Sequence, residues 1–167
     1  NLLSVFVPKE AWMDEFYSFL ILLRIYLAGL SFSFFCFQRQ EKKMAVLMGA
    51  LLYAFSFWTI FAAVRHPYFM NPMIYFPLVL AGADRIFRKK RPFLYIFSLA
   101  AAVMSNFYFG YMICLLVMLY CIFRYKAVFG TFRLKQLAGW GGRFLGYSVI
   151  ALLLSSVILL PVALCAL

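Results

Sequence analysis

FLYIFSLAAAVMSNFYFGYMICLLVMLYCIF, residues 93–123, is the stretch whose reading decides the architecture. As one straight helix these 31 residues would reach ~46 Å, well beyond a ~30 Å hydrocarbon core. Ser105-Asn106-Phe107-Tyr108 interrupts the run with polar groups, and Gly110 follows. A single crossing would also set Arg124, Lys126, Arg133 and Lys135 on the side opposite Arg88-Lys89-Lys90-Arg91, against the bias of basic residues toward the cytoplasm. Two short helices, Phe93 to Ser105 and Phe107 to Phe123, keep both clusters on one side. The stretch therefore reads as a hairpin of short helices with its tip at Asn106, near or below the outer surface.

Working outward, the same logic organises the rest. Phe16 to Phe37 reads as a first span, followed by Gln38 to Lys43. Met44 to Val64 reads as a second span, ending at Arg65-His66-Pro67. A shorter apolar segment lies between Asn71-Pro72 and Asp84-Arg85, with Pro72 suited to a first helical turn. Beyond the hairpin, Ala127 to Arg143 mixes aromatic, basic and glycine residues and reads as an interfacial connector with a Gly-Trp-Gly-Gly turn. Phe144 to about Ala166 completes the set as a last span. The expectation is an all-α, polytopic transmembrane bundle of about six membrane segments, with residues 1–167 a single transmembrane region of a larger membrane domain. Residues 1–15 are then external. Of the 16 Lys and Arg, 13 fall inside, Lys9 and Arg65 outside, and Arg24 within the membrane.

Composition points the same way. The chain is 67% hydrophobic, 21% aromatic and only 13% charged, which excludes an ordinary water-soluble domain of 167 residues. The net charge of +11 does not form a nucleic-acid-binding face, because the basic residues sit in short runs between apolar segments. Cys36, Cys114, Cys121 and Cys165 lie in apolar stretches, without a CxxC spacing, and read as packed or lipid-facing thiols rather than metal ligands. Neither a signal peptide nor an initiator Met is present, and both ends read as cuts from a longer protein.

Few residues can carry chemistry. Arg24 stands inside the first span, where a guanidinium costs at least about 2.5 kcal/mol unless it meets a cavity, an anion or water. It either contacts an anion, snorkels to the external surface or makes a structural pair. Arg65 and His66 open a polar loop that continues through Asn71; the His is a base, a phosphate contact or a structural pin. Asn106, Tyr108 and Tyr111 mark the hairpin tip and suit either sugar hydrogen bonding or satisfaction of freed backbone groups. Ser98, Ala102 and Ser105 form a small-residue stripe suited to close helix packing. Asp84-Arg85, at a cytoplasmic helix end, reads as a local ion pair or an interface anchor. No P-loop, GxSxG, metal cluster or dinucleotide fingerprint is present, so no catalytic residue, metal or cofactor is assigned.

Several runs resemble the bacterial YfhO family: Arg65-His66-Pro67-Tyr68-Phe69-Met70-Asn71-Pro72 onward to Leu78, Ser105-Asn106-Phe107-Tyr108-Phe109-Gly110-Tyr111-Met112, Leu23-Arg24-Ile25 with Ala28 to Phe32, and Leu159-Leu160-Pro161. The resemblance implies a GT-C-type glycosyltransferase. Such an enzyme moves a sugar from a polyprenyl-phosphate carrier to a cell-envelope polymer such as teichoic acid on the outer face, without a nucleotide sugar at that step. It implies substrate-binding roles for Arg24, Arg65, His66, Asn71, Asn106, Tyr108 and Tyr111, and partners that are membrane lipid, the lipid-linked sugar and the polymer. The acidic general base of that fold is expected upstream of Asn1. A transporter or flippase of lipid-linked sugar, and a non-catalytic membrane scaffold, are the alternatives; the first would show inverted repeats, the second tolerance of change at Arg24, His66 and Asn106.

Overall fold

Seven α-helices and one 3-10 turn, without a strand, make up the described part of the chain. The computed structural model describes residues 10–130 and 134–165, with side chains described for 15–63, 65–130 and 138–157. The helices are α1 (Glu10–Gln38), α2 (Lys43–Ala54), α3 (Phe57–Arg65), α4 (Asn71–Phe87), α5 (Phe93–Ser105), α6 (Phe107–Phe129) and α7 (Leu134–Cys165), with the 3-10 turn Pro67–Met70 between α3 and α4. Three helical stretches, Glu15–Gln38, Phe107–Phe129 and Ala138–Val157, are long and apolar enough to cross a membrane. The bent pair α2–α3 makes up to four. Only 17% of the first stretch is buried within the bundle, and Leu52 and Phe57 are 77% and 82% exposed. Apolar surface on that scale is stable against lipid or further protein, not water. The chain is a helical membrane bundle.

The break at residue 106 forms as expected, but only its first arm is short: α6 continues past Phe123 to Phe129, long enough to cross a membrane by itself. Asn106 takes an extended backbone (φ −164°, ψ 115°), and its Oδ1 accepts from the N–H groups of Tyr108 (3.0 Å) and Phe109 (3.4 Å). These are donors that the first turn of a helix leaves unpaired, so the side chain ends one helix and starts the next. α6 then returns beside α5: Tyr95 near the start of α5 shares a cavity with Cys114, Val117 and Cys121 of α6. At the turn, Gly110 lets the chain fold tightly, since a Cβ there would lie 2.9 Å from Val103 Cα.

α4 and α5 form the centre, flanked by α1, α6 and α7. The core joins Val79, Ala83 and Ile86 of α4 to Leu99, Ala102 and Val103 of α5, with Ile113 and Val117 from α6. Ser98 and Ala102 of the small-residue stripe are buried there. Gly82 sets the α4–α5 distance; a Cβ at that position would stand 2.6 Å from the backbone N and Cα of Tyr95. α4 also carries Pro77, whose ring removes the N–H that would bond to Met73 O. The Tyr53 hydroxyl of α2 supplies the missing donor, at 2.9 Å from Met73 O. Phe32 of α1 stacks on that tyrosine at 4.7 Å, so one aromatic pair ties α1, α2 and α4 together.

Two further expectations are revised. The second span is not a single rod: α2 and α3 are bent by 41°. Ser56 causes the break, with its Oγ accepting from Thr59 N–H at 3.4 Å and lying 3.0 Å from Thr59 Oγ1, a local alternative to continuing the helix. The expected connector Ala127 to Arg143 is not a separate interfacial segment: α6 extends to Phe129, and α7 begins at Leu134 and runs as helix through the Gly-Trp-Gly-Gly sequence. Its rings explain this. Trp140 and Phe144, one helical turn apart, lie 5.4 and 5.2 Å from Phe87, and Phe144 lies 5.6 Å from Tyr95. This packing offsets a helical penalty of about 1 kcal/mol per glycine. The expected external stretch of residues 1–15 lies largely outside the described residues, as do Lys9 and Arg133.

Candidate functional site

The bundle has two polar ends of different character. At one, α3, the 3-10 turn, the start of α4 and the hairpin tip converge. Trp58 Nε1 donates to Phe69 O at 3.4 Å, and the ring of Phe109 lies 5.2 Å from Phe69 and 6.3 Å from Trp58. The Asn71 amide donates to Ser105 Oγ at 2.7 Å, tying the loop to the residue before Asn106. The Arg65–Asn71 loop and the Asn106 tip, separate in sequence, are thus one structure.

Arg24 approaches this assembly from α1. It lies nine residues beyond Glu15, where the crossing stretch begins, a rise of ~14 Å that is nearly half of a ~30 Å core. Its guanidinium carbon stands 5.5 Å from the centre of the Tyr68 ring, and its Nη1 is buried without a hydrogen-bond partner. A ring face attracts a cation but accepts none of its N–H groups in a strong hydrogen bond.

The other residues fall around it unequally. His66 is exposed and leans on Phe69, with ring centroids 5.2 Å apart. Arg65 is exposed and lies 5.9 Å from the ring of Phe61, one turn earlier on its own helix. Asn71 and Asn106 have committed one polar atom each within the fold, to Ser105 and to the α6 cap. Tyr108 is exposed and packs on Phe109 at 5.5 Å, while Tyr111 is exposed on the next turn. The structure therefore joins Arg24, the His66–Asn71 loop and the hairpin tip in one region, with Tyr111 and Arg65 at its margin. Among the described residues no three His, Cys, Asp or Glu side chains are placed to hold a metal.

At the opposite end a buried carboxylate is paired through one of its oxygens, while its Oδ2 is buried without a hydrogen-bond partner. Asp84, only 1% exposed, accepts through Oδ1 from Tyr120 Oη at 2.8 Å and Arg124 Nε at 2.9 Å. Arg85 instead donates to Gln38 Oε1 at 3.2 Å, and Gln38 Nε2 donates to Ala81 O at 2.8 Å. The local Asp84–Arg85 pair expected from adjacency does not form: successive helical residues diverge by about 100°, so Asp84 faces α6 and Arg85 faces α1. A signal for this was present, since Asp84 is the sole acidic residue after Glu41 and sits in an apolar helix. A carboxylate so placed must find a cation on another helix.

Comparison with known proteins adds the lineage. A relative named "Uncharacterized protein YfhO" from Bacillus subtilis (strain 168) is 29% identical over 85 residues, which is 51% of this chain and 10% of that protein. The match thus spans about a tenth of that relative's length. No solved structure matches. The model of the family described as "Bacterial membrane protein YfhO" matches residues 1–167, and with helices built to cross a bilayer the chain belongs to that family.

Proposed function

We propose that this region forms the donor-phosphate side of a membrane glycosyltransferase that takes a sugar from a polyprenyl-phosphate carrier and attaches it to a cell-envelope polymer. Arg24 carries the reading: a guanidinium deep in a membrane-crossing helix, with a buried and unpartnered nitrogen, beside a polar loop and hairpin tip. In the reaction an acceptor hydroxyl oxygen attacks the anomeric carbon. The anomeric C–O bond to phosphate breaks and its electron pair stays on the phosphate oxygen. The acceptor proton passes to a carboxylate that another part of the longer protein supplies. Negative charge grows on the leaving phosphate, and a fixed cation in a low-dielectric site stabilises that growth more than it stabilises the ground state. His66, Asn71 and Tyr108 surround the sugar in this reading, with Asn106 holding the tip in shape.

The test uses the full-length protein in membrane vesicles with a labelled polyprenyl-phosphate sugar and polymer acceptor. Arg24→Glu is expected to lower transfer about a hundredfold or more, the scale of losing one transition-state charge partner. Arg24→Lys, which keeps the charge but not the fork, is expected to fall between. Transfer unchanged by Arg24→Glu refutes the assignment. Carrier that changes leaflet without labelling polymer would establish a transporter instead.

A further inference from the structure

α6 and α7 both pack near α5 and meet at one end through Phe129 and Trp140, ring centroids 5.9 Å apart; between them lies a cavity of about 460 Å³ floored by Tyr95. Cys114, Met118 and Cys121 form one wall; Gly141, Leu145 and Ser148 form the other. The lining is almost wholly apolar, and two of its hydroxyls satisfy each other, with Tyr95 Oη 2.9 Å from Ser148 Oγ. Met118 and Leu145 are 59% and 64% exposed, so the cavity opens sideways from the bundle, as a groove in a bilayer would. From Cys114 to Tyr125 it follows α6 for ~16 Å, about the depth of one leaflet of a ~30 Å core.

One end of the groove is marked. Tyr125 and Trp140 line it there, Arg143 places its guanidinium carbon 5.2 Å from the Trp140 ring, and Lys126 is exposed at the next position of α6 beyond Tyr125. Phe87, also in the lining, leads into Arg88-Lys89-Lys90-Arg91. Acid does not balance this charge. Asp84 is buried and engaged by Arg124, and Glu41 stands in sequence among Arg39, Lys42 and Lys43 beyond α1.

We propose that the α6–α7 groove seats an acyl chain of an anionic phospholipid whose headgroup rests on Lys126 and Arg143. The apolar, leaflet-deep slot takes the chain, and the surplus cations at its aromatic end select the headgroup charge. This site lies at the end of the bundle opposite Arg24 and stands independently of the proposed transfer reaction.

The experiment measures lipid retained by the full-length protein, purified in detergent and titrated with phosphatidylglycerol or phosphatidylcholine, by native mass spectrometry. Wild type is expected to bind phosphatidylglycerol preferentially. Gly141→Trp should lose one bound phosphatidylglycerol; a Cβ at Gly141 meets nothing within 4 Å, so the new ring fills the groove without straining the helix. Lys126→Gln with Arg143→Gln should keep chain binding but lower the headgroup preference about twenty-five-fold, at about fivefold per basic residue. Equal retention of the two lipids by wild type, or a Gly141→Trp protein that binds as wild type does, overturns the proposal.

Discussion

Removing the Asp84 carboxylate tests the packing of the basic end most sharply. Its side chain is fully buried, Arg124 is 21% exposed, and one oxygen receives both Arg124 and Tyr120. Hydrogen bonds to charged groups contribute about 1.5–3 kcal/mol each, and stripping one partner from a buried ion pair costs about 3–5 kcal/mol. Partial exposure of Arg124 gives water some access to the stranded cation, which places Asp84→Ala near the lower figure, about 3 kcal/mol. The change is local to α4 and α6, so hydrogen exchange of peptides from those helices in the full-length protein is the appropriate assay. A loss of about 3 kcal/mol speeds exchange limited by opening about a hundredfold. Asp84→Asn keeps an acceptor oxygen and should lose less. Arg124→Ala alone should also destabilise, and the double change should cost clearly less than the sum of the singles. Additive single effects, or exchange in Asp84→Ala within about a factor of two of wild type, would refute the view that this pair holds α4 to α6.

Two further outcomes follow from the packing. Tyr53→Phe removes the donor that replaces the N–H missing at Pro77, leaving Met73 O without it; exchange around the middle of α4 should reflect a loss of about 1–3 kcal/mol. Gly82→Leu forces α4 and α5 apart against Tyr95 backbone only 2.6 Å from a Cβ, and should lower the thermal midpoint by an amount equivalent to at least about 1–3 kcal/mol, whereas Gly141→Ala, which meets open space, should be neutral or slightly stabilising.

Much of the architecture was written in local patterns that sequence displays directly. Residue 106 had to break the helix, because the run from Phe93 to Phe123 was too long for one crossing and Asn can cap the next helix with its own side chain. Basic runs between apolar segments determined the membrane class without any knowledge of contacts, since the cost of charge in hydrocarbon acts on each residue separately. Arg24 stood out for the same reason. Breaks resting on subtler local bonding were less legible: Ser56 bends the second span through a cap that its apolar neighbours obscured.

Partnership between distant residues belonged to the tertiary structure alone. Asp84 chose Arg124 over adjacent Arg85 because helical geometry turns neighbours onto different faces. Tyr53 found Met73 O because a proline on another helix had vacated it. The glycines of α7 stayed helical because Trp140 and Phe144 had Phe87 to pack on. The same holds at the candidate site. The sequence singled out a buried cation, a His-Pro loop and an Asn-Phe-Tyr tip, each costly or unusual on its own terms. Only the packing of α1, α4, α5 and α6 brought them together, because which helix faces which is decided by the shape of whole side-chain surfaces rather than by any one residue.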